Sequence, residues 1–257
     1  MFKHWYICSR METLILTKDE QAKGHFDGGR IQERKPIGFP QDRGKLRPYG
    51  NLFYWAHAWA TEDSMIGEHP HQGFEIMSFV LTGEIEHYDS QLKGWKKLKA
   101  GDVQIIRAGK GISHAEKVGA GGSIFQIWFD PGLERTLSQP ATYDDYTAAT
   151  FLAKNIGGNA VTNYSDSIRM DAKPVAISRS KYADGLHSVQ LGQGKIHSCF
   201  ILDGTVNLDG RTLEKGDFYR VSDGVEYSIE TKNADVFIIE NQFHLAYKSY
   251  YEMVGAR

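Results

Sequence analysis

His69 and His71 stand one residue apart in GEHPHQGFE (67–75), and Glu75 follows four places after the second histidine. Further on, GKGISHAEKV (109–118) offers His114 and Glu116, again with one residue between them. Imidazole and carboxylate are ligands of first-row transition metals. Three histidines with a carboxylate therefore suit iron, manganese, cobalt, nickel, copper or zinc, and not magnesium or calcium. A six-coordinate ion held by such a set keeps two positions open, and open positions allow chemistry. In an extended strand, residues two apart share a face. His69 with His71, and His114 with Glu116, can thus point into one interior, and Glu75 joins them if the chain stays extended through Gly73. On spacing alone, either Glu75 or Glu116 completes the site. The other histidines (His4, His25, His57, His87, His187, His197 and His244) read as ordinary hydrogen-bonded residues. His57 is the least ordinary of them, because Phe53, Trp55, His57 and Trp59 would line one face of a strand.

Strands are what must position these groups. From Asn51 onward the chain runs in short apolar or alternating stretches rich in Val, Ile, Phe, Tyr and Trp, punctuated by glycine turns. That pattern predicts strands at 51–60, 74–81, 84–88, 103–107, 112–118 and 123–129. A second set is predicted at 173–179, 186–191, 195–202, 205–208, 218–221, 225–230 and 235–240. Helical periodicity is confined to 132–138, 144–153 and 243–253. The fold class is all-β.

An internal repeat divides the chain. VLTGEIEHYDS (80–90) followed by LKAGDVQII (98–106) has a counterpart in ILDGTVNLDG (201–210) followed by LEKGDFYRV (213–221). Two β-barrels in tandem are expected, residues 1–133 and 134–257, joined where PGLERTLSQPATYDDY loses the strand pattern. Aligning Gly83 with Gly204 places Gln190, Gly192 and Ile196 where the first copy has His69, His71 and Glu75. Aligning Gly101 with Gly216 places Ile229 and Thr231 where it has His114 and Glu116. The second barrel is therefore expected to carry no metal, and His197, one residue out of register, to turn to the opposite face.

Composition bounds the rest. With 257 residues and 41% hydrophobic residues the chain can bury substantial cores. A formal net charge of −2 argues against direct nucleic-acid binding. The two cysteines, Cys8 and Cys199, point to a reducing, cytoplasmic setting. No apolar run is long enough for a membrane span. METLILTKDEQ, from Met11, reads as a second start, so residues 1–10 are expected to be an extension without function.

HPHQGFEIMSFVLTGEIEHYDS (69–90), LKAGDVQIIRAGKGISHAE (98–116) and FQIWFDP (125–131) resemble the N-terminal cupin of pirins, and GHFDGG (24–29) is similar to the start of bacterial members. The resemblance implies a bicupin of two double-stranded β-helix barrels. It implies His69, His71, His114 and Glu116 as ligands of one divalent ion, with iron(II) expected and Mn, Co, Ni, Cu or Zn as alternatives, and it leaves Glu75 a supporting role. It also implies, for some members, a quercetin 2,3-dioxygenase activity. There Glu116 would be the catalytic base for the flavonol 3-hydroxyl, and O₂ would cleave the ring with release of carbon monoxide. The aromatic strand 53–59 would stack on the flat substrate. The alternative is a non-enzymatic, iron-dependent regulatory protein acting through a protein partner. A monomer is expected in either case.

Overall fold

The computed structural model describes residues 11–255. The expectation for residues 1–10, with His4 and Cys8, lies outside these. The first half contains β1 (Glu12–Leu16), β2 (Ala22–Phe26), β3 (Ile31–Ile37), β4 (Leu52–Ala60), β5 (Ser64–His71) and β6 (Glu75–Thr82). It continues with β7 (Glu84–Asp89), β8 (Trp95–Lys99), β9 (Val103–Arg107), β10 (Ile112–Val118) and β11 (Ser123–Phe129), then a single helical turn, α1 (Leu133–Thr136), and β12 (Thr142–Tyr146). Two antiparallel sheets result, of order β12-β9-β6-β11-β4-β3-β2 and β5-β10-β7-β8.

The second half adds β13 (Lys154–Ile156), β14 (Asn159–Asn163), β15 (Ala176–Lys181), β16 (Gly185–Gln190), β17 (Lys195–Leu208), β18 (Arg211–Glu214), β19 (Phe218–Ser222) and β20 (Glu226–Gln242), before α2 (Tyr250–Gly255). These strands form one nine-stranded sheet that also recruits β1, through pairing of Glu12–Leu16 with Phe218–Ser222. Three elements reach across position 133. β1 joins the later sheet, β12 pairs with β9, and Tyr250 at the start of α2 meets the rings of Phe53 and Phe74.

The central strands are buried on both faces, which is why they read as almost unbroken apolar runs. In β6, Ile76 and Val80 face the space between the first two sheets, while Met77 and Phe79 enter a core shared by both halves. Trp55 sits in that shared core, fully buried, with its ring 5.4 to 6.2 Å from those of Phe125, Phe200, Phe218 and Phe237.

The repeat found in the sequence is present in backbone detail. Gly83 and Gly204 have φ of 67° and 69°, and Gly101 and Gly216 both have 91°, a region open to glycine without Cβ strain. Gly101 N donates to Val80 O at 2.8 Å, as Gly216 N does to Ile201 O. The Asp102 carboxylate accepts from Lys99 N at 2.9 Å, as Asp217 does from Glu214 N.

Some expected elements differ. Residues 144–153 are not a helix: Thr142–Tyr146 forms an edge strand on β9, and a short turn at 148–150 is tied by Ala148 N to the Asp102 carboxylate at 2.8 Å. Pairing to an existing sheet edge overrides local propensity. The stretches 195–202 and 205–208 are one strand, because Gly204 makes a bulge in β17 instead of ending it. Helix in 243–253 is limited to α2, which begins at Tyr250.

Candidate metal centre

β5 and β10 lie side by side in the four-stranded sheet with His69 opposite His114 and His71 opposite Ile112. On the other flank β7 places Asp89 opposite His114 and His87 opposite Glu116. The register thus gathers groups from three strands onto one inward face. His114 Nε2 lies 2.9 Å from His71 Nε2 and 3.0 Å from His69 Nε2. His71 and His114 are buried, and His69 is partly exposed at the mouth.

The protonation state suits a ligand set. His69 Nδ1 is 2.7 Å from the Gly67 carbonyl, so Nδ1 carries the proton and donates it, leaving the Nε2 lone pair aimed at the cluster. Burial, then the neighbouring His114 and His69, holds His71 down to about 3. Burial and His69 hold His114 down to about 3 as well. Both rings are neutral at physiological pH, with no proton to expel before binding. The three Nε2 atoms face one another, and the separations of His114 Nε2 from the other two allow each pair to bind a shared ion at about 2.0–2.1 Å. The buried Nδ1 of His114 has no hydrogen-bond partner among the described residues. The donor set fits a borderline transition metal.

Glu116 is fully buried on β10. Its Oε2 accepts from Gln126 Nε2 at 2.8 Å and its Oε1 from Ser78 Oγ at 3.3 Å, while Trp128 Nε1 points at Gln126 Oε1 from 3.4 Å. The carboxylate is therefore aimed by neighbours on β6 and β11. The four residues that the resemblance names fall, together with His87, into two overlapping triplets that share His114: His69–His71–His114, and His87–His114–Glu116. Within each triplet the candidate ligand atoms lie within 4.8 Å of one another.

His87, read from the sequence as an ordinary hydrogen-bonded residue, is one, and it also lies beside the cluster. It is fully buried and stacks on Tyr143 with ring centres 4.9 Å apart, and its Nε2 lies 2.9 Å from the Asp89 carboxylate. Asp89 also accepts from Gln91 N and Leu92 N, both at 2.7 Å. The signal was available: in EIEHYD, His87 and Asp89 share a face with Ile85, so a polar pair occupies the buried side of an alternating strand.

Two expectations fail for geometric reasons. Glu75 does not share a face with His69 and His71, because Gly73, at φ 75°, turns the chain out of β5 and into β6 of the other sheet. Glu75 instead faces the second half. Its carboxylate accepts from Asp171 N at 2.7 Å and Ala172 N at 2.8 Å, with Arg107 Nε 3.6 Å away. Nor do Phe53, Trp55, His57 and Trp59 line one face toward the metal cluster: Phe53 lies with Phe74 and Trp128, Trp55 lies in the shared core, and His57 and Trp59 open onto a cleft between the halves. Trp128 is the aromatic beside the cluster, with its ring 4.8 Å from that of His71. An open depression of about 570 Å³, lined by Pro70, His71, Gln72, Ser90 and Ile112, leads to it.

In the second half Ile196 enters the shared core and His197 turns the other way, onto Tyr227 and Glu240 at 3.0 and 3.2 Å. Ile229 and Thr231 are buried. No histidine–carboxylate cluster forms there among the described residues.

These features define a mostly β, cupin-like protein with a histidine-rich cluster able to hold a metal ion. Residues 44–129 match the family model described as Pirin, and over that segment the chain is similar to the pirin family. A Zymomonas mobilis protein provisionally named quercetin 2,3-dioxygenase is 24% identical over 229 residues, covering 85% of this chain and 94% of that one. The Escherichia coli K12 quercetin 2,3-dioxygenase is 40% identical over 68 residues, 25% of this chain and 29% of that one. The crystal structure of E. coli pirin YhhW in complex with nickel(II) aligns with a TM-score of 0.74 at 19% identity, covering 90% of this chain and 99% of that one. Among the described residues no helix is long and apolar enough to cross a membrane.

Proposed function

We propose that the protein is a cytoplasmic, metal-dependent dioxygenase of the quercetin 2,3-dioxygenase type. Its ligands are His69, His71, His114 and Glu116, its ion is iron(II), and its substrates are a flavonol and O₂. The observation that carries this reading is the convergence of three imidazoles, with His114 Nε2 at 2.9 and 3.0 Å from the other two, beside a buried, hydrogen-bonded carboxylate. The names of the relatives support the substrate class. The bound ion supplies Lewis acidity to the flavonol oxygen and a site for reaction with O₂.

The chain's own residues do the rest. Glu116 takes the proton of the flavonol 3-hydroxyl, and Gln126 and Ser78 hold it in position for that transfer. Gly67, through its carbonyl, fixes the His69 ring. Trp128, whose ring meets that of His71 edge to face, offers an apolar surface to a flat ring. We assign the architecture as two cupin barrels, 1–133 and 134–257, with β1, β12 and α2 exchanged between them and the chemistry confined to the first.

Metal analysis of purified protein, followed by anaerobic flavonol and then oxygen, tests the reading. Loss of flavonol absorbance with carbon monoxide release is expected, and iron-loaded protein without turnover refutes it. A second reading is a non-enzymatic regulator whose ion changes the surface met by a protein partner. Partial exposure of His69 at the mouth of the site favours it. It predicts partner binding that depends on metal loading, in the absence of turnover.

A further inference from the structure

A cleft of about 550 Å³ separates the halves on the side away from the metal cluster's four-stranded sheet. It shares no lining residue with the cluster, and its volume falls in the range of small-molecule sites. The floor is aromatic. Phe200 is buried there, with its ring 5.5 Å from that of His57, and His57 in turn lies 5.3 Å from Trp59. Leu81 and Leu202 flank these rings. The first half supplies His57 and Trp59, and the second supplies Phe200, so the cleft exists only when both halves are folded together.

Its charges are unbalanced. Arg179, Lys181 and Lys215 face Asp203 and Asp235 across the rim. Asp235 is consumed by the Arg179 guanidinium, with bonds of 2.8 and 2.7 Å, so that Lys181 reaches it only at 4.0 Å. Lys215 has no carboxylate partner among the described residues. His57 has no hydrogen-bond partner there either. Burial, then Arg34 and Lys215, holds its ring down to about 4, so at neutral pH it offers one N–H and one lone pair to whatever enters.

Flat aromatic walls with two lysines against one remaining carboxylate, Asp203, at the rim recognise a planar ring bearing an anionic group. An aromatic face accepts stacking, and an ammonium beside a half-buried slot meets a carboxylate with less competition from water. A neutral apolar ligand would leave Lys215 and His57 unmatched. We propose that this cleft is a second ligand site, separate from the metal centre, and that it takes a planar aromatic carboxylate, its ring against Trp59 and Phe200 and its carboxylate toward Lys215 and Lys181. The inference stands independently of the dioxygenase reading.

The test is a calorimetric titration of the zinc-loaded full chain with 2-naphthoate, alongside the uncharged 2-naphthamide, with the histidine ring signals followed by NMR. Saturable binding of 2-naphthoate at millimolar concentration or below is expected, with movement of the His57 signals and none of His69, His71 or His114. Lys181→Gln/Lys215→Gln is expected to weaken it by about fivefold, the scale of two partly exposed charge contacts. Trp59→Leu is expected to weaken both compounds. Absence of saturable heat, equal affinity for the amide, affinity unchanged in the lysine double variant, or movement confined to the metal-centre histidines each overturns the proposal. The lysines are exposed, so the double variant keeps its fold, and its melting temperature checks this.

Discussion

The roles of the two carboxylates in the motifs can be separated by one pair of substitutions, Glu75→Gln and Glu116→Gln. Glu75 is buried and accepts two backbone N–H groups, from Asp171 at 2.7 Å and Ala172 at 2.8 Å. An amide can accept from one of them but turns its own NH₂ toward the other, leaving a buried donor facing a donor. A hydrogen bond to a charged group contributes about 1.5–3 kcal/mol, so Glu75→Gln should cost roughly 2–3 kcal/mol. At about 2–4 °C per kcal/mol for a chain of this size, the melting temperature should fall by roughly 4–12 °C. Metal affinity should not move, because Glu75 faces the second half. Glu116→Gln should do the reverse. Its amide oxygen can still accept from Gln126, but the charge beside His114 is lost. The metal dissociation constant should therefore rise at least about tenfold, the lower end for a changed group at a metal site. Chelator competition with nickel or zinc measures affinity, and melting of the metal-free protein measures stability. A larger loss of metal affinity in Glu75→Gln than in Glu116→Gln refutes the assignment.

His114→Ala should abolish both metal binding and flavonol turnover, since His114 is the residue common to both triplets; metal analysis and the carbon monoxide assay check this. Metal-free protein should lose stability as pH falls. His71 and His114 are held at about 3 when folded but near 6.5 when unfolded, so the unfolded chain binds more protons between those values, and stability declines from about pH 6.5 downward. Melting curves across that window should show the decline, and a flat profile would contradict it. Asp89→Ala removes a fully buried side chain that serves His87, Gln91 N and Leu92 N, and should cost about 3–5 kcal/mol, as the loss of three buried hydrogen bonds does. Denaturant unfolding measures it, and Asp89→Asn, which keeps one acceptor oxygen, should recover part of the loss.

Much was legible because strands expose their periodicity. The inward pair at His114 and Glu116, the two histidines of β5 and the twin turns at Gly83/Gly101 and Gly204/Gly216 follow from alternation and from glycines whose φ only glycine tolerates well. What alternation cannot reveal is where a strand ends and which sheet it enters next. Gly73 illustrates this: its positive φ separates β5 from β6, and with that turn Glu75 leaves the metal cluster for the seam between halves. The repeat already held a hint, since Ile196, the counterpart of Glu75, also faces the shared core.

The sequence by itself determined the mostly β class, the paired glycine turns of its internal repeat and the residue types of a transition-metal set, because each rests on local spacing. The tertiary structure alone decided which groups meet. Register across β5, β10 and β7 brings His87 to Glu116, although 29 positions separate them in sequence, and the packing of one half on the other turns His57 and Trp59 away from the metal. Contacts between strands distant in sequence depend on pairing and sheet order, which side-chain periodicity along a single strand does not encode.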